Sequence, residues 1–207
     1  MLEMKNATFR LASGRVVHDM SFVAHDGKLT AVVGRSGGGK TRLLGALLGF
    51  FPLDKGYVSV DGELIIPPTA CFFRSKIAYV PQWLDLSSSL TVSELYEMLP
   101  ETCTSKNPVS SREKIIGMWD ILNVDSALWN SDISCLPVAV VKRILLSFAL
   151  YSGRGILIVD EPTEFQSDTD VVAILSQLRS AAEKGVAVLV TTKDECVEHS
   201  ADICIHV

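Results

Sequence analysis

The sequence predicts an α/β fold: a mixed, mainly parallel sheet with flanking helices, extra antiparallel strands at the N-terminal end, and a small helical insertion. Three observations carry that prediction. The apolar run 29–33 leads straight into a glycine-rich stretch, residues 34–41, and then into a helix-forming stretch, 42–48. A second apolar run, 155–159, delivers two carboxylates, Asp160 and Glu161, at its end. A third, 76–80, is stopped by Pro81 and followed by Gln82. Short, continuously apolar runs between helical stretches are the mark of strands buried on both faces, the usual state of a parallel sheet.

Each element follows in order. Residues 1–82 alternate strands with one long helix after the glycine-rich stretch. From Trp83 to Cys135 the pattern turns helical, with apolar spacing at Val92, Leu95 and Leu99 and again at Ile115, Ile116, Trp119 and Leu122. Between these sets, residues 100–111 form a polar connector holding two prolines. After Leu136 a helix leads to the Asp160 strand; a helix over 171–184, a strand over 186–191 and a closing strand over 203–207 complete the layout. The expected organisation is one domain over 1–207, with 1–82 and 136–207 as the α/β core and 83–135 as the helical subdomain.

Composition fits one compact unit. A chain of 207 residues, 48% hydrophobic and 21% charged, suffices for a single α/β core with a small lobe. The net charge of −5 argues against a nucleic-acid binder, which carries a basic stripe. Mean hydropathy is high at +0.30, yet no apolar run reaches the roughly 18 residues of a membrane span. The N-terminus has no apolar signal core and enters a strand at once. Five cysteines, Cys71, Cys103, Cys135, Cys196 and Cys204, are scattered without a C-x-x-C pair, so neither a zinc site nor a disulfide framework is expected and a reducing cytosol fits.

The glycine-rich stretch carries the chemistry. Gly34, Arg35, Ser36, Gly37, Gly38, Gly39, Lys40 and Thr41 fit the phosphate-binding pattern G-x-x-x-x-G-K-[ST], in the strand–loop–helix setting that gives the pattern meaning. Glycines let successive backbone N–H groups turn toward one anion, and the helix start adds its positive dipole end. Lys40 is expected at the β- and γ-phosphates and the Thr41 hydroxyl on Mg²⁺, with Arg42 following at the helix start. Asp160 is expected in the Mg²⁺ shell, and Glu161 as the base that polarises an attacking water. The Gln82 amide can reach a metal or a water.

With these segments in place, the chain resembles the ATP-binding subunits of ABC transporters over nearly its whole length. Residues 34–41 match the Walker A loop, Gln82 the Q-loop and 156–161 the Walker B strand; residues 16–22 before Asp26 and Gly27 resemble the family's opening antiparallel strands, 56–62 the strand and turn after the P-loop helix, and Leu90-Thr-Val-Ser-Glu-Leu95 the start of its helical subdomain. The resemblance implies a P-loop NTPase core, ATP and Mg²⁺ as ligands, and a homo- or heterodimer with another such subunit. It also implies a membrane-spanning transporter partner and a peripheral place at the cytoplasmic face of the membrane.

The departures lie where the family completes its catalytic site. Its signature, Leu-Ser-Gly-Gly-Gln, falls at Leu136, Pro137, Val138, Ala139 and Val140 when Arg143 keeps the place of the downstream Arg; a rival register on Ile133 and Ser134 needs a three-residue insertion. In the first register the serine hydroxyl is gone and Pro137 has no N–H to donate. The family's switch histidine is replaced by Lys193, which can meet a phosphate as a point charge but not as a near-neutral relay. The adenine-stacking aromatic corresponds to Leu11, and the family's Ser-Ala-Leu-Asp reads Glu164, Phe165, Gln166, Ser167, with Asp168 one place late. Two functions follow from the resemblance: an ATPase subunit driving a membrane transport protein, or a nucleotide-gated subunit of an asymmetric complex that binds ATP and turns it over slowly. A soluble repair or translation ATPase fits less well, since long insertions or tandem cassettes do not fit in 207 residues.

Overall fold

The computed structural model describes residues 1–11, 14–84, 89–99 and 108–207. The chain opens with β1 (Leu2–Arg10), β2 (Val16–Ala24), β3 (Leu29–Val33), α1 (Lys40–Leu47), β4 (Lys55–Val60), β5 (Glu63–Leu64), α2 (Ala70–Lys76) and β6 (Ile77–Val80). The helical stretch follows as α3 (Val92–Glu97), α4 (Pro108–Ile121) and two short 3-10 turns, Ser126–Asn130 and Ile133–Cys135. Then come α5 (Val138–Tyr151), β7 (Ile156–Asp160), α6 (Asp168–Glu183), β8 (Ala187–Thr192), α7 (Glu195–Ser200) and β9 (Ile203–His206).

The strands form two sheets. One is antiparallel in the order β2-β1-β4-β5; the other is parallel in the order β6-β7-β8-β3-β9. Side chains alternate across the parallel sheet, as strand geometry requires. In β7, Ile156 and Ile158 join one core while Leu157 and Val159 join the other, and β8 repeats the split with Ala187 and Leu189 against Val188 and Val190. The first core takes Leu43, Leu44 and Leu47 of α1 together with Leu2, Met4, Phe22 and Val58 of the antiparallel sheet. The second takes Ile115 and Trp119 of α4, Leu122 just after it, Trp129, and Ile144, Leu146 and Phe148 of α5. The helical insertion thus packs on the parallel sheet through α5 and shares its core. Trp119 is fully buried there, and its indole N–H donates to Ser147 Oγ at 2.9 Å, so burial leaves no orphan donor.

Two helices and two boundaries differ from the sequence reading. The stretch before Gln82 holds a second helix, α2, and the chain closes through another short one, α7; at seven and six residues both are too short to show a helical period. Helix α6 starts at Asp168 rather than 171, because the Ser167 side chain accepts the Asp170 N–H and caps it there. The expected connector 100–111 lies outside the described residues as far as 107, and its last four positions belong to α4, which begins on a proline, a residue well tolerated at a helix start.

The strand order places the site. β8 lies between β3 and β7, with Val33 level with Thr192 and Asp160 level with Thr191. The glycine-rich stretch after β3 and the carboxylates ending β7 therefore meet at the C-terminal edge of the sheet, where open α/β folds bind ligands.

Candidate functional site

The loop after β3 is shaped by backbone. Gly34 N–H donates to Thr192 O at 3.0 Å, anchoring the loop on β8, and Gly38 N–H donates back to Arg35 O at 3.0 Å. Gly37 and Gly39 have φ of +76° and +96°, a region that side chains disfavour. A Cβ on Gly39 would also lie 2.3 Å from a Leu11 methyl, and one on Gly38 2.9 Å from Arg35 O. Helices α3, α6 and α7 are capped by the side chains of Thr91, Ser167 and Asp194; α1, which starts on Gly39, has no side-chain cap and no acidic residue in its first turn. Its first-turn N–H groups and dipole are left for an anion.

Lys40 is buried behind the loop. Its Nζ donates to Gly34 O at 2.6 Å and Arg35 O at 3.1 Å and pairs with Glu161 Oε1 at 2.9 Å. Ser36, Gly37, Gly39, Lys40, Thr41, Arg42, Leu11, Gln82 and Glu161 line one cavity of about 240 Å³. On the other side of the loop, Gly34 to Gly38 share a cavity of about 600 Å³ with Lys193. Leu11 is buried against Gly39, and the Arg42 guanidinium stacks on the Phe51 ring at 3.6 Å.

The carboxylates are held rigidly. Asp160 accepts from Thr41 Oγ1 at 2.9 Å and from the Thr191 hydroxyl. Burial, and then the Asp160 charge, push the Tyr79 phenol up to about 12. Glu161 sits at φ +49°, a strained conformation for this residue type. It is held by its N–H donating to Thr191 O and Thr191 Oγ1, each at 3.1 Å, and by its carbonyl accepting from Lys142 Nζ at 2.7 Å. Its Oε2 accepts from Lys193 N–H at 3.2 Å. Among the described residues no three His, Cys, Asp or Glu side chains cluster as a metal cage. The Thr41 and Asp160 oxygens nevertheless suit Mg²⁺, which takes few protein ligands and draws the rest from phosphates and water.

Gln82, expected to reach a metal or a water, and Lys193, expected to meet a phosphate, both bond Glu164. Gln82 Nε2 donates to Glu164 Oε2 at 2.8 Å, and Lys193 Nζ donates to Glu164 Oε1 at 2.8 Å. Lys142 Nζ stands 3.7 Å from Glu164 Oε2. Burial works against ionisation of Glu164, but the bonds from Lys193 and Gln82 and the charges of Lys142 and Lys193 outweigh it, so the carboxyl titrates below its ordinary value. Burial pushes the Lys142 ammonium down, although Glu164, Asp160 and Glu161 pull it the other way. Sequence reasoning noted Glu164 only as a departure and did not single out Lys142. The available signal was an acid in the turn after Glu161 and a pair of cations, Lys142 and Arg143, in the otherwise apolar α5.

The segment aligned with the signature begins α5. Pro137 is its N-cap without a side-chain bond, and Val138 is 39% exposed. The rival pair sits in the separate 3-10 turn, where Ile133 is buried and Ser134 Oγ donates to Asp132 Oδ1 at 2.6 Å. Arg143 is buried and ion-paired with Asp170 of α6.

A glycine-rich loop at the edge of a parallel sheet, backed by a buried lysine and facing a strand that ends in Asp160 and Glu161, defines a P-loop nucleotide-binding fold. The family model described as ABC transporter matches residues 17–164, and the chain belongs to that family. It is 30% identical over 180 residues to the manganese transport system ATP-binding protein MntB of Listeria innocua, covering 83% of this chain and 72% of that protein. It is 26% identical to the lipopolysaccharide export system ATP-binding protein LptB of Haemophilus influenzae, over 99% of this chain and 84% of that one. Against the ribose import ATP-binding protein RbsA of Corynebacterium glutamicum identity is 26% over 91% of this chain, which spans only 36% of that relative's length. A solved dimeric bacterial ABC transporter cassette shares the fold, with a TM-score of 0.85 at 20% identity over 100% of this chain and 94% of that one.

Proposed function

We propose that this chain is an ATP-binding subunit that binds MgATP and, paired with a like or related subunit, couples ATP binding and hydrolysis to transport by a membrane-spanning partner. The observation that carries this reading is the uncapped start of α1, lined by glycines, with the Lys40 ammonium buried behind it and Glu161 across from it. The N–H groups of residues 37–41 hold the phosphate oxygens. Lys40 exchanges its carbonyl and Glu161 contacts for the β- and γ-phosphates. Thr41 and Asp160 hold Mg²⁺, which, when bound, neutralises phosphate charge. Glu161, released from Lys40, accepts a proton from the attacking water. No helix among the described residues is long and apolar enough to cross a membrane, which is compatible with a peripheral subunit on the cytoplasmic face. The net charge of −5 supports a protein partner rather than nucleic acid.

A second reading has its own support: a subunit of an asymmetric complex that binds ATP and hydrolyses it slowly. Pro137 and Val138 at the start of α5 cannot supply a serine hydroxyl or glycine backbone to a partner's nucleotide, and Lys193 is engaged with Glu164. Turnover by the purified chain separates the two. MgATP hydrolysis that Glu161→Gln abolishes supports the first; tight binding without turnover, restored by a second subunit with an intact signature, supports the second.

A further inference from the structure

Glu164 holds one side chain from each of the two cavities that flank the phosphate loop. Gln82 reaches it from the cavity containing Thr41 and Glu161, and Lys193 from the cavity beside Gly34 to Gly38. We propose that Glu164 tunes the preference of the site for nucleoside triphosphate over diphosphate, by competing with the terminal phosphate for Lys193 and Gln82. The proposal rests on the loop binding nucleotide.

The two cationic partners of Glu164 differ in exposure, and that difference makes the competition workable. Lys193 is 44% exposed, so its ammonium can leave the carboxylate for another anion at little cost in desolvation. Lys142 is 5% exposed and also donates to Glu161 O, so it stays in place. When Lys193 departs, Glu164 keeps a positive neighbour and is not left as an unpaired, mostly buried charge, the costly outcome. A terminal phosphate offers Lys193 and Gln82 a stronger acceptor than one carboxylate. A diphosphate ends at the groups served by the loop amides and Lys40, and has nothing to offer either side chain. The cost of opening the Glu164 contacts therefore falls on the triphosphate alone. Discrimination of this kind is a difference of two affinities, and an internal competitor lowers only one of them.

The test is calorimetric titration with Mg²⁺ and either the non-hydrolysable β,γ-imido analogue of ATP or ADP. E164Q keeps the shape and removes the charge. Its expected result is a triphosphate affinity raised about 2- to 5-fold, the range of a partly exposed ion pair, with ADP affinity changed less than about 1.5-fold. In E164Q/K193A the gain disappears, because the freed ammonium is what produced it. Equal changes for both nucleotides, weaker triphosphate binding in E164Q, or a gain that survives K193A overturns the proposal and leaves Glu164 a structural residue. Wild-type chain that binds neither nucleotide overturns the loop assignment itself, and the proposal with it.

Discussion

Among the described helices α1, α2 and α5 begin without a side-chain cap, and α1 and α5 begin in opposite ways. α1 opens on Gly39 at φ +96°, with Lys40 buried behind and Thr41 bonded to Asp160. α5 opens on Pro137 and exposes Val138. Both have the positive dipole end of a helix, but only α1 surrounds it with glycine backbone and an ammonium. In the ABC transporter family the first kind of start grips the subunit's own nucleotide, and the segment aligned with the second covers its partner's. Here the first carries glycines, a buried ammonium and Thr41, while the second offers neither a hydroxyl nor a glycine. A helix start serves a phosphate only when side chains and backbone around it agree.

The comparison can be broken at several points. Glu161→Gln in a hydrolysing assembly lowers turnover by about 10²- to 10⁴-fold, the usual worth of a general base, and leaves ATP binding in place; phosphate release checks it, and unchanged turnover removes Glu161 from that role. Restoring Ser, Gly and Gly at 137, 138 and 139 raises turnover of any homodimer by about 10- to 100-fold, somewhat below the worth of an oxyanion-hole donor. An unchanged rate shows that this segment is not the lid. Acid sharpens the Glu164 part of the account. Because its carboxyl titrates below the ordinary 4.5, the stabilisation from its partners is fully present above that pH and is lost as pH falls through the lower folded value. Melting temperature followed from pH 5 downward should therefore decline less steeply in E164Q. The smallest effect is a control on a capped helix: Ser167→Ala removes the α6 cap and costs about 1 kcal/mol, lowering Tm by about 2–4 °C with nucleotide affinity unaltered.

What the sequence disclosed depended on range. The β3–loop–α1 unit was legible because residues 29–48 carry strand, turn and helix signals side by side, and the Asp160–Glu161 strand end was legible for the same reason. The starts of α5 and α6 turned on single residues, Pro137 and Ser167, and only the first was read. Helices α2 and α7 were missed because neither spans two turns. Least legible was the Glu164 cluster. Its partners come from positions 82, 142 and 193; the sequence marks Gln82 and Lys193 for a metal, a water or a phosphate, and nothing in it pairs either with Glu164. Their meeting is fixed by strand order, which puts β6, β7 and β8 side by side and packs α5 near β6 and β7, and no local pattern encodes that.

The most direct test of the whole account is a calorimetric titration of MgATP into the wild-type chain and into Lys40→Ala. Saturable binding at one site per chain, weakened about 100-fold or more by the substitution, is the expected result, since a buried ammonium on phosphate contributes several kcal/mol. Equal affinity in the two proteins, or no binding to the wild-type chain, would contradict it.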